Sequence, residues 1–420
     1  MPSKPVKGAK QALPERVDVF IGGAGYVGLA TALAIAKNAP SISVMVVDAA
    51  PEGVWQNDTR SSAIAAAACR MLGELDCWDD LKGVAQPIND MIVTDSRTSE
   101  PVRPVFLTFE GDVGDGEPFA HMLANVDMVR ALRKQCAAHN VTVLQSTPVT
   151  GFFSDDTSAV KTVELGDGRT VQTRLLIACD GVKSRLRDMA GIKTVHWDYG
   201  QSGIVATIEH ERPHNGQAVE HFMPAGPFAI LPLAGNRSSI VWTESTENAK
   251  RLVETDEFTF DFELEQRFGL QLGEIKLVGT RRAYPLGLTL ARDFVKPRFA
   301  LAGDAAHGIH PIAGQGLNLG FKDAAALAQT VVEAHRLGQD IGALDVLERY
   351  QQWRRFDTVQ MGITTDVLNR LFSNDIGPLR AMRTFGLGLV DRMPSAKNFF
   401  IKQAAGLTGS TPNLLQGRAI

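Results

Sequence analysis

Residues 17–28 read Val-Asp-Val-Phe-Ile-Gly-Gly-Ala-Gly-Tyr-Val-Gly, and an alanine-rich run follows them at 29–37. The apolar residues before the glycines predict a buried strand, and the alanine-rich run predicts a helix. Gly23 permits a tight turn, Gly25 lets the backbone approach a diphosphate, and Gly28 lets the helix pack close to the sheet. This stretch therefore predicts the start of a dinucleotide-binding βαβ unit.

A second apolar run at 43–47 completes the unit and ends in Asp48. A carboxylate at this place accepts hydrogen bonds from ribose hydroxyls and disfavours a 2′-phosphate. The unit alone does not distinguish FAD from NAD. Its candidate cofactor contacts are Gly23, Gly25, Val27, Gly28 and Asp48.

Two later segments add groups that suit a flavin nucleotide. Arg60, in Asp58-Thr-Arg60, has a guanidinium that could reach a phosphate or the flavin, and its other interpretation is a surface ion pair. Asp180-Gly181 follows an apolar run at 175–179, and its other interpretation is a simple turn.

The segment at 298–320 decides in favour of FAD. It predicts a strand that delivers Asp304 to a turn, where the carboxylate can bind a polyol such as ribitol. The loop Gly314-Gln315-Gly316 brings bare backbone up to a flat ring, and a helix from residue 316 points its positive end at that ring. This dipole stabilises the negative charge of a reduced flavin, and NAD has no need of such an arm. The other candidate contacts here are Gly303, Pro311, Leu317 and Asn318.

The 420 residues exceed the size at which one core usually stops growing, so two lobes are expected. From 202 to 284 short alternating runs predict antiparallel strands, interrupted by one helix at 258–268, and helices dominate from 316. The predicted fold class is α/β, with a discontinuous Rossmann-like FAD-binding domain, an inserted antiparallel β-sheet substrate domain and a helical C-terminal region. The expected boundaries are 17–87, 119–190 and 285–370 for the FAD-binding domain, 88–118 and 191–284 for the β-rich domain, and 371–420 for the tail.

Composition and charge exclude some classes of function and location. The net charge is −4, and without a basic-aromatic stripe we expect no nucleic-acid partner. The four cysteines are dispersed, which fits neither a metal site nor a disulfide framework. With neither a signal-peptide pattern nor a long apolar run, a cytoplasmic location is expected. The tail from 373 is basic and partly apolar, so it predicts either peripheral contact with the inner face of a membrane or a docked, packed segment.

The chain resembles the group A flavoprotein aromatic monooxygenases of the p-hydroxybenzoate hydroxylase fold. Three motifs carry the resemblance: Gly23-x-Gly25-x-x-Gly28, Asp180-Gly181 and Gly303-Asp304. Within that group it is most similar to the ubiquinone-biosynthesis hydroxylases. The segments that carry this closer resemblance are 58–63, 197–201, 226–233, 241–243, 284–286, 303–323, 354–357 and 365–366.

The resemblance implies an activity and a set of cofactor contacts. NAD(P)H or another reductant reduces FAD, oxygen adds to the flavin as a C4a-hydroperoxide, and the terminal oxygen passes to the ring of a polyprenylated phenol. Other quinone-biosynthesis proteins are implied partners. Asp48 stands where the family often has Glu, and Asn125 aligns with a family glutamine. The implied FAD contacts are Gly23, Gly25, Gly28, Asp48, Arg60, Asn125, Asp304, Leu317 and Asn318.

Several assignments stay open at the level of sequence. One alternative is a small soluble aromatic substrate, which would require a cation or a tyrosine in the insert, and Arg281, Arg282 and Tyr284 could supply it. Another is a flavin-binding scaffold protein with little turnover of its own. No catalytic base is evident. His307 and His310 lie beside the flavin arm and either titrate there or hold the turn by hydrogen bonds. The residues expected either to line the substrate cavity or to fill the core are Phe222, Phe228 and Trp242.

Overall fold

The computed structural model describes residues 13–95, 103, 105–110, 113–114, 116–154, 158–309, 315–372 and 401–420. The strands are β1 Arg16–Gly22, β2 Val44–Val47, β3 Ser61–Ala65, β4 Gln86–Ile88, β5 Asp90–Asp95, β6 Val105–Glu110, β7 Ala120–Ala124, β8 Thr142–Leu144, β9 Val149–Phe153, β10 Lys161–Leu165, β11 Thr170–Ala178, β12 Thr194–His210, β13 Gln217–Met223, β14 Gly226–Leu233, β15 Arg237–Ser245, β16 Ile275–Ala291, β17 Val295–Lys296, β18 Phe299–Leu301 and β19 His307–Gly308. The helices are α1 Tyr26–Asn38, α2 Ala66–Glu74, α3 Trp78–Leu81, α4 Asn125–Ala138, α5 Arg185–Met189, α6 Thr246–Glu254, α7 Glu257–Phe268, α8 Gln315–Arg336 and α9 Leu344–Phe372.

The first sheet has the strand order β17-β18-β11-β1-β2-β8, and β9 and β10 extend it. β1 pairs in parallel with both β2 and β11, so that Ile21 lies between Val46 and Ile177. The buried parts of these strands, at 19–22, 44–47 and 175–178, are apolar because helices cover both faces of a parallel sheet. The predicted Rossmann-like unit is confirmed. β10 and β11 add an antiparallel hairpin to it.

The second sheet has the order β19-β16-β12-β15-β14-β13-β5-β6 and is antiparallel except where β5 pairs with β13. One of its faces packs on α6 and α7 around Phe228, Trp242 and Phe260. This is the inserted sheet that the alternating runs predict. Its edge strand β19 comes directly after the Gly303-Asp304 turn, so the insert and the flavin arm are joined by backbone pairing of His307 with Leu290.

The insert differs from expectation in two details. It has two helices, α6 and α7, where the sequence predicts one. α6 has only nine residues and buries Ala249 and Leu252, so its apolar stripe is too short to be recognised in the sequence. The boundary expected at residue 285 falls inside β16, which continues to Ala291 because it stays paired with β12.

Residues 401–420 return to the first lobe instead of projecting from it. The Ala67 amide donates to the Ala405 carbonyl at 3.1 Å, and Leu414 and Leu415 are buried. Ile401 is also buried, so in this part of the tail the packed interpretation applies. Residues 373–400 lie outside the described part of the chain, and membrane contact there stays a prediction. Among the helices that the structure describes, none is both long and apolar enough to cross a bilayer.

Candidate active site

The glycine turn between β1 and α1 is closed on one side and open on the other. Gly23 has φ +111°, and a Cβ there would lie 2.3 Å from the Cys179 carbonyl oxygen. A Cβ on Gly28 would lie 2.0 Å from the carbonyl oxygen of Gly23. A Cβ on Gly25 would meet no described atom within 4 Å. The turn therefore packs tightly on the sheet and leaves open space at the N-terminus of α1, which fits a diphosphate.

Asp48 holds this turn from the end of β2. Its Oδ2 accepts a hydrogen bond from the Ala24 amide at 2.6 Å, and its Oδ1 accepts one from the Ala50 amide at 2.7 Å. Each carboxylate oxygen has more than one acceptor site, so the group can still bind a ribose hydroxyl.

A cavity of about 820 Å³ lies between the two sheets. We call its first side the turn wall, formed by Tyr26, Val182, Asp304, Gly316, Leu317 and Asn318. Across from it is the sheet wall, formed by Ala218, Glu220, Pro227, Ala229, Val241 and Thr243. A third group, the apolar end, consists of Ile88, Met91, Phe119, Ala120, Leu231 and Ala404.

Asp304 reaches the cavity from a turn that requires glycine. Gly303 has φ +63°, in the region that favours glycine, and its Cα packs on Val27, to which an added Cβ would come within 3.1 Å. Val27 therefore packs directly against the Gly303 turn. Burial raises the pKa of the Asp304 carboxyl above its ordinary value, although its surface remains accessible from the cavity. Asp304 is placed to accept hydrogen bonds from a polyol.

A buried ionic network holds the same turn from behind. Asp323 accepts hydrogen bonds from the Gly303 amide at 2.9 Å, from His307 Nε2 at 2.5 Å and from Arg354 Nε at 2.8 Å. Burial alone would raise the pKa of Asp323, but His307 and Arg354 outweigh it and lower the pKa. His307 is fully buried and is not among the residues that line the cavity, so its role is to hold the turn. His310 lies outside the described residues.

Arg60 forms an ion pair, as one of its two interpretations expects. Its Nε and Nη2 each donate to Asp58 at 2.8 Å, and Asn125 donates to the same carboxylate at 3.2 Å. The Arg60 guanidinium also lies 5.6 Å from the centre of the Tyr284 ring. Its side chain remains 48% exposed, so contact of Arg60 and Asn125 with a cofactor stays a prediction.

The Asp180-Gly181 segment follows β11, which lies between β1 and β18 in the first sheet. Asp180 accepts from the Leu186 amide at 3.1 Å and fixes the start of α5, and Gly181 has φ +85°. Arg187, on that helix, donates to the carbonyls of Val182 and Ala305, each at 3.1 Å. Arg187 is buried and lines the cavity, and sequence reasoning missed it although it stands six residues after Gly181.

The first turn of α8 faces the cavity and is fastened to β3. Asn318 accepts from the Ala65 amide at 2.9 Å and donates to the Ala63 carbonyl at 3.0 Å. Gly316 and Leu317 line the cavity beside it, so the positive end of the helix points into the site. Pro311 and Gly314 lie outside the described residues. For Gln315 only the backbone, which begins α8, is described.

The aromatic residues of the insert lie elsewhere than predicted. Phe228 and Trp242 have ring centres 5.9 Å apart and pack with Phe260 on the helix-covered face of the sheet. For these two residues the lining interpretation is wrong and the core interpretation applies, because alternate residues of a strand face opposite sides and the cavity face carries Ala229 and Val241. Phe222 is buried but does not line the cavity either.

Comparison with known proteins agrees with this architecture. Residues 16–359 match the family described as FAD binding domain. The chain belongs to this family. Over more than nine-tenths of its length it is similar to proteins named as ubiquinone-pathway hydroxylases. The ubiquinone hydroxylase UbiL of Rhodospirillum rubrum is 43% identical over 95% of this chain and 92% of the relative. The 3-demethoxyubiquinol 3-hydroxylase of Escherichia coli is 32% identical over 93% of this chain and 98% of the relative.

Solved structures show the same fold. The crystal structure of p-nitrophenol 4-monooxygenase PnpA from Pseudomonas putida superposes with a TM-score of 0.78, at 19% identity, over 94% of this chain and 99% of that protein. At this identity the likeness shows the fold alone. The family match and the relatives named as hydroxylases show that the chain is an FAD-dependent monooxygenase.

Proposed function

We propose that this enzyme hydroxylates the aromatic ring of a polyprenylated phenol in ubiquinone biosynthesis, with molecular oxygen as the second substrate. The observation that carries the proposal is the single cavity that joins the turn wall to the apolar end. A phenolic ring held against a flavin at the turn wall would leave its apolar chain beside Ile88, Met91 and Phe119. Relatives of 43% and 32% identity, named as ubiquinone-pathway hydroxylases, support it.

The described residues fit FAD. Gly25 leaves open space for the diphosphate, Asp48 would bind the adenosine ribose, and Asp304 would bind the ribitol chain. The N-terminus of α8 would stabilise negative charge on the ring system. Bound FAD supplies the activation of oxygen. The protein positions the two reactants and excludes water, which matters because a wet site loses its activated oxygen as hydrogen peroxide.

The cavity gives less support to the alternative substrate, a small soluble aromatic acid. Arg281 does not reach the cavity: its Nε donates to the Val253 carbonyl at 3.1 Å, and its guanidinium lies 4.2 Å from the centre of the Phe260 ring. It therefore belongs to the helix-covered face of the sheet. A scaffold with little turnover would not need an apolar end joined to the turn wall.

Two finer parts of the proposal concern the electron donor and the membrane. We propose NAD(P)H as the donor and peripheral contact with the inner face of the membrane through the basic tail, because a prenylated substrate is dissolved in the bilayer. Stopped-flow reduction with NADPH, NADH or a reduced iron–sulfur protein distinguishes the donors. Flotation with anionic vesicles tests the contact.

The central test combines a purified protein with a genetic deletion. We expect close to one FAD per chain, donor oxidation that depends on 2-prenylphenol, and a dihydroxylated product that carries oxygen from ¹⁸O₂. Deletion of the gene should lead to accumulation of an under-hydroxylated prenylphenol. Unlabelled product, or normal quinone content after deletion, would contradict the proposal.

A further inference from the structure

Glu220 is a buried carboxyl group on the sheet wall of the cavity. Its exposed fraction is 4%, yet it lines the cavity from the middle of β13. Among the described residues no hydrogen bond or ion pair to its carboxyl group is found, and burial is the one cause that shifts its pKa. A buried carboxyl group without a partner carries a large desolvation cost, so it is an unusual group to keep in a wall made otherwise of small residues.

The neighbouring strands do not neutralise this group. Glu220 lies between Val93 of β5 and Ala229 of β14 in the sheet register. Asp366 of α9, the helix that contacts β14, is engaged with the Trp197 indole at 3.3 Å. On the same strand, His221 points to the other face and bonds Thr94 at 2.7 Å. The charged or titratable groups elsewhere around the cavity are Tyr26, Lys183, Arg187, Asp188, His196, Asp198 and Asp304.

We infer that Glu220 accepts the phenolic proton of the substrate ring during hydroxylation. The inference rests on the proposed function and deepens it, since it states which end of the substrate the sheet wall recognises. Burial raises the pKa of Glu220 to about 7, so near neutral pH both its ionised and its protonated forms are populated. A proton acceptor works best when its pKa lies near the working pH.

The proton transfer balances without any further reagent. The phenolic O–H bond breaks as an O–H bond forms on the Glu220 carboxylate, and the electron pair left on the phenolic oxygen enriches the ring. Once the ring carbon has gained its oxygen, that carbon loses its hydrogen as a proton to the oxygen atom that becomes water. Glu220 then returns its proton to the ring oxygen, and the product leaves as a neutral phenol.

The test compares the FAD-loaded wild type with E220Q, using 2-prenylphenol as the probe. The amide cannot accept a proton as the carboxylate does, so we expect a roughly 100-fold lower kcat at pH 8. In the wild type kcat/KM should rise through about pH 7, because the active form is the deprotonated carboxylate. This rise should be absent in E220Q and partly restored in E220D. Flavin content should be unchanged in both variants.

Glu244→Gln is the matched control. Glu244 is another buried glutamate of the same sheet, but it faces α7 and binds Arg267 at 3.0 Å. We expect E244Q to lower the melting temperature and to keep the pH profile. Infrared difference spectra on anaerobic binding of 2-prenylphenol should contain a carboxyl band that E220Q lacks and E244Q retains.

The outcomes separate the two levels of the proposal. A flavin-loaded wild type that hydroxylates no prenylphenol overturns the proposed function. A wild type that does hydroxylate it, with E220Q within threefold and with the same pH profile, overturns the role of Glu220 alone.

Discussion

The turn wall and the sheet wall enclose the same cavity, but different forces fix their shapes. The turn wall depends on the backbone of the turns that support it: a Cβ does not fit at Gly23 or Gly28, and buried ionic groups hold the Gly303 turn. The sheet wall depends on side-chain size: Ala229 faces the cavity, and its neighbour Phe228 faces the helices. The glycine positions of these turns should therefore tolerate almost no added side chain, whereas substitutions in the sheet wall should change substrate specificity and leave the fold intact.

The largest expected effect is a loss of FAD binding on substitution in the glycine turn that supports the turn wall. Gly23→Ala places a Cβ 2.3 Å from the Cys179 carbonyl oxygen and adds an unfavourable φ. We expect the purified variant to lose nearly all bound FAD, measured by flavin absorbance after reconstitution. Gly25→Ala is the control, since its Cβ meets no described protein atom and the apoprotein should keep its melting temperature. Stoichiometric FAD in the Gly23 variant would contradict a backbone-defined wall.

The next effect concerns the buried network. Asp323→Asn leaves the fully buried Arg354 and His307 without their carboxylate, and we expect a loss of about 3–5 kcal/mol in the free energy of unfolding. Denaturant titration of the apoprotein measures it. Asp357→Asn, which removes the outer and more exposed partner of Arg354, should cost less.

The same network predicts how stability depends on pH. Because the folded protein lowers the pKa of Asp323, its contribution is present above the ordinary carboxyl pKa of about 4. The contribution is lost as the pH falls through the lowered pKa of the folded state. The wild type should therefore lose more stability than Asp323→Asn between about pH 4 and pH 2. Parallel curves for the two proteins in this range would contradict the assignment.

A smaller effect is expected on the sheet wall. Ala229→Phe extends a ring into the cavity, and we expect a roughly 10- to 100-fold lower kcat/KM for 2-prenylphenol with FAD content unchanged. Phe228→Ala, the adjacent change on the opposite face, should instead cost about 3–5 kcal/mol of stability and leave KM unaltered. If both variants affected KM alike, the two faces would not be functionally distinct.

The smallest effect is expected at Asp304, where one side chain acts on a cofactor held mainly by backbone. Asp304→Ala removes hydrogen bonds to the ribitol and should raise the FAD dissociation constant roughly 10-fold. Fluorescence titration of the apoprotein with FAD measures the change. An unchanged constant would mean that the Asp304 carboxylate does not contact the cofactor.

The two walls also differ in how far the sequence could predict them. A position that only glycine can occupy is recognisable in the sequence. Gly23, Gly28 and the Gly303 turn could therefore be predicted from their spacing and the flanking strands. Asp48 was recognisable for the same reason, since it ends a strand that the turn requires. The fold class was predictable because strand and helix patterns repeat along the chain.

The sheet wall could not be predicted in this way. Alternation shows that successive residues face opposite sides, but it does not show which side the helices cover. The sequence therefore leaves Trp242 undecided between cavity and core and does not single out Glu220. The roles of His307 and Arg187 depend on hydrogen bonds to Asp323 and Ala305, which lie 16 and 118 residues away in the sequence. Such contacts leave no local pattern.

Finally, Thr194 at the start of β12 is paired with Ala291 at the end of β16. The long insert therefore leaves and re-enters the flavin lobe at one adjacent pair of residues. Exchange of the segment between related enzymes needs only two neighbouring junctions, provided that β13 of the donor still accepts β5. A family with this arrangement can acquire new substrates by recombination while its oxygen chemistry is inherited intact.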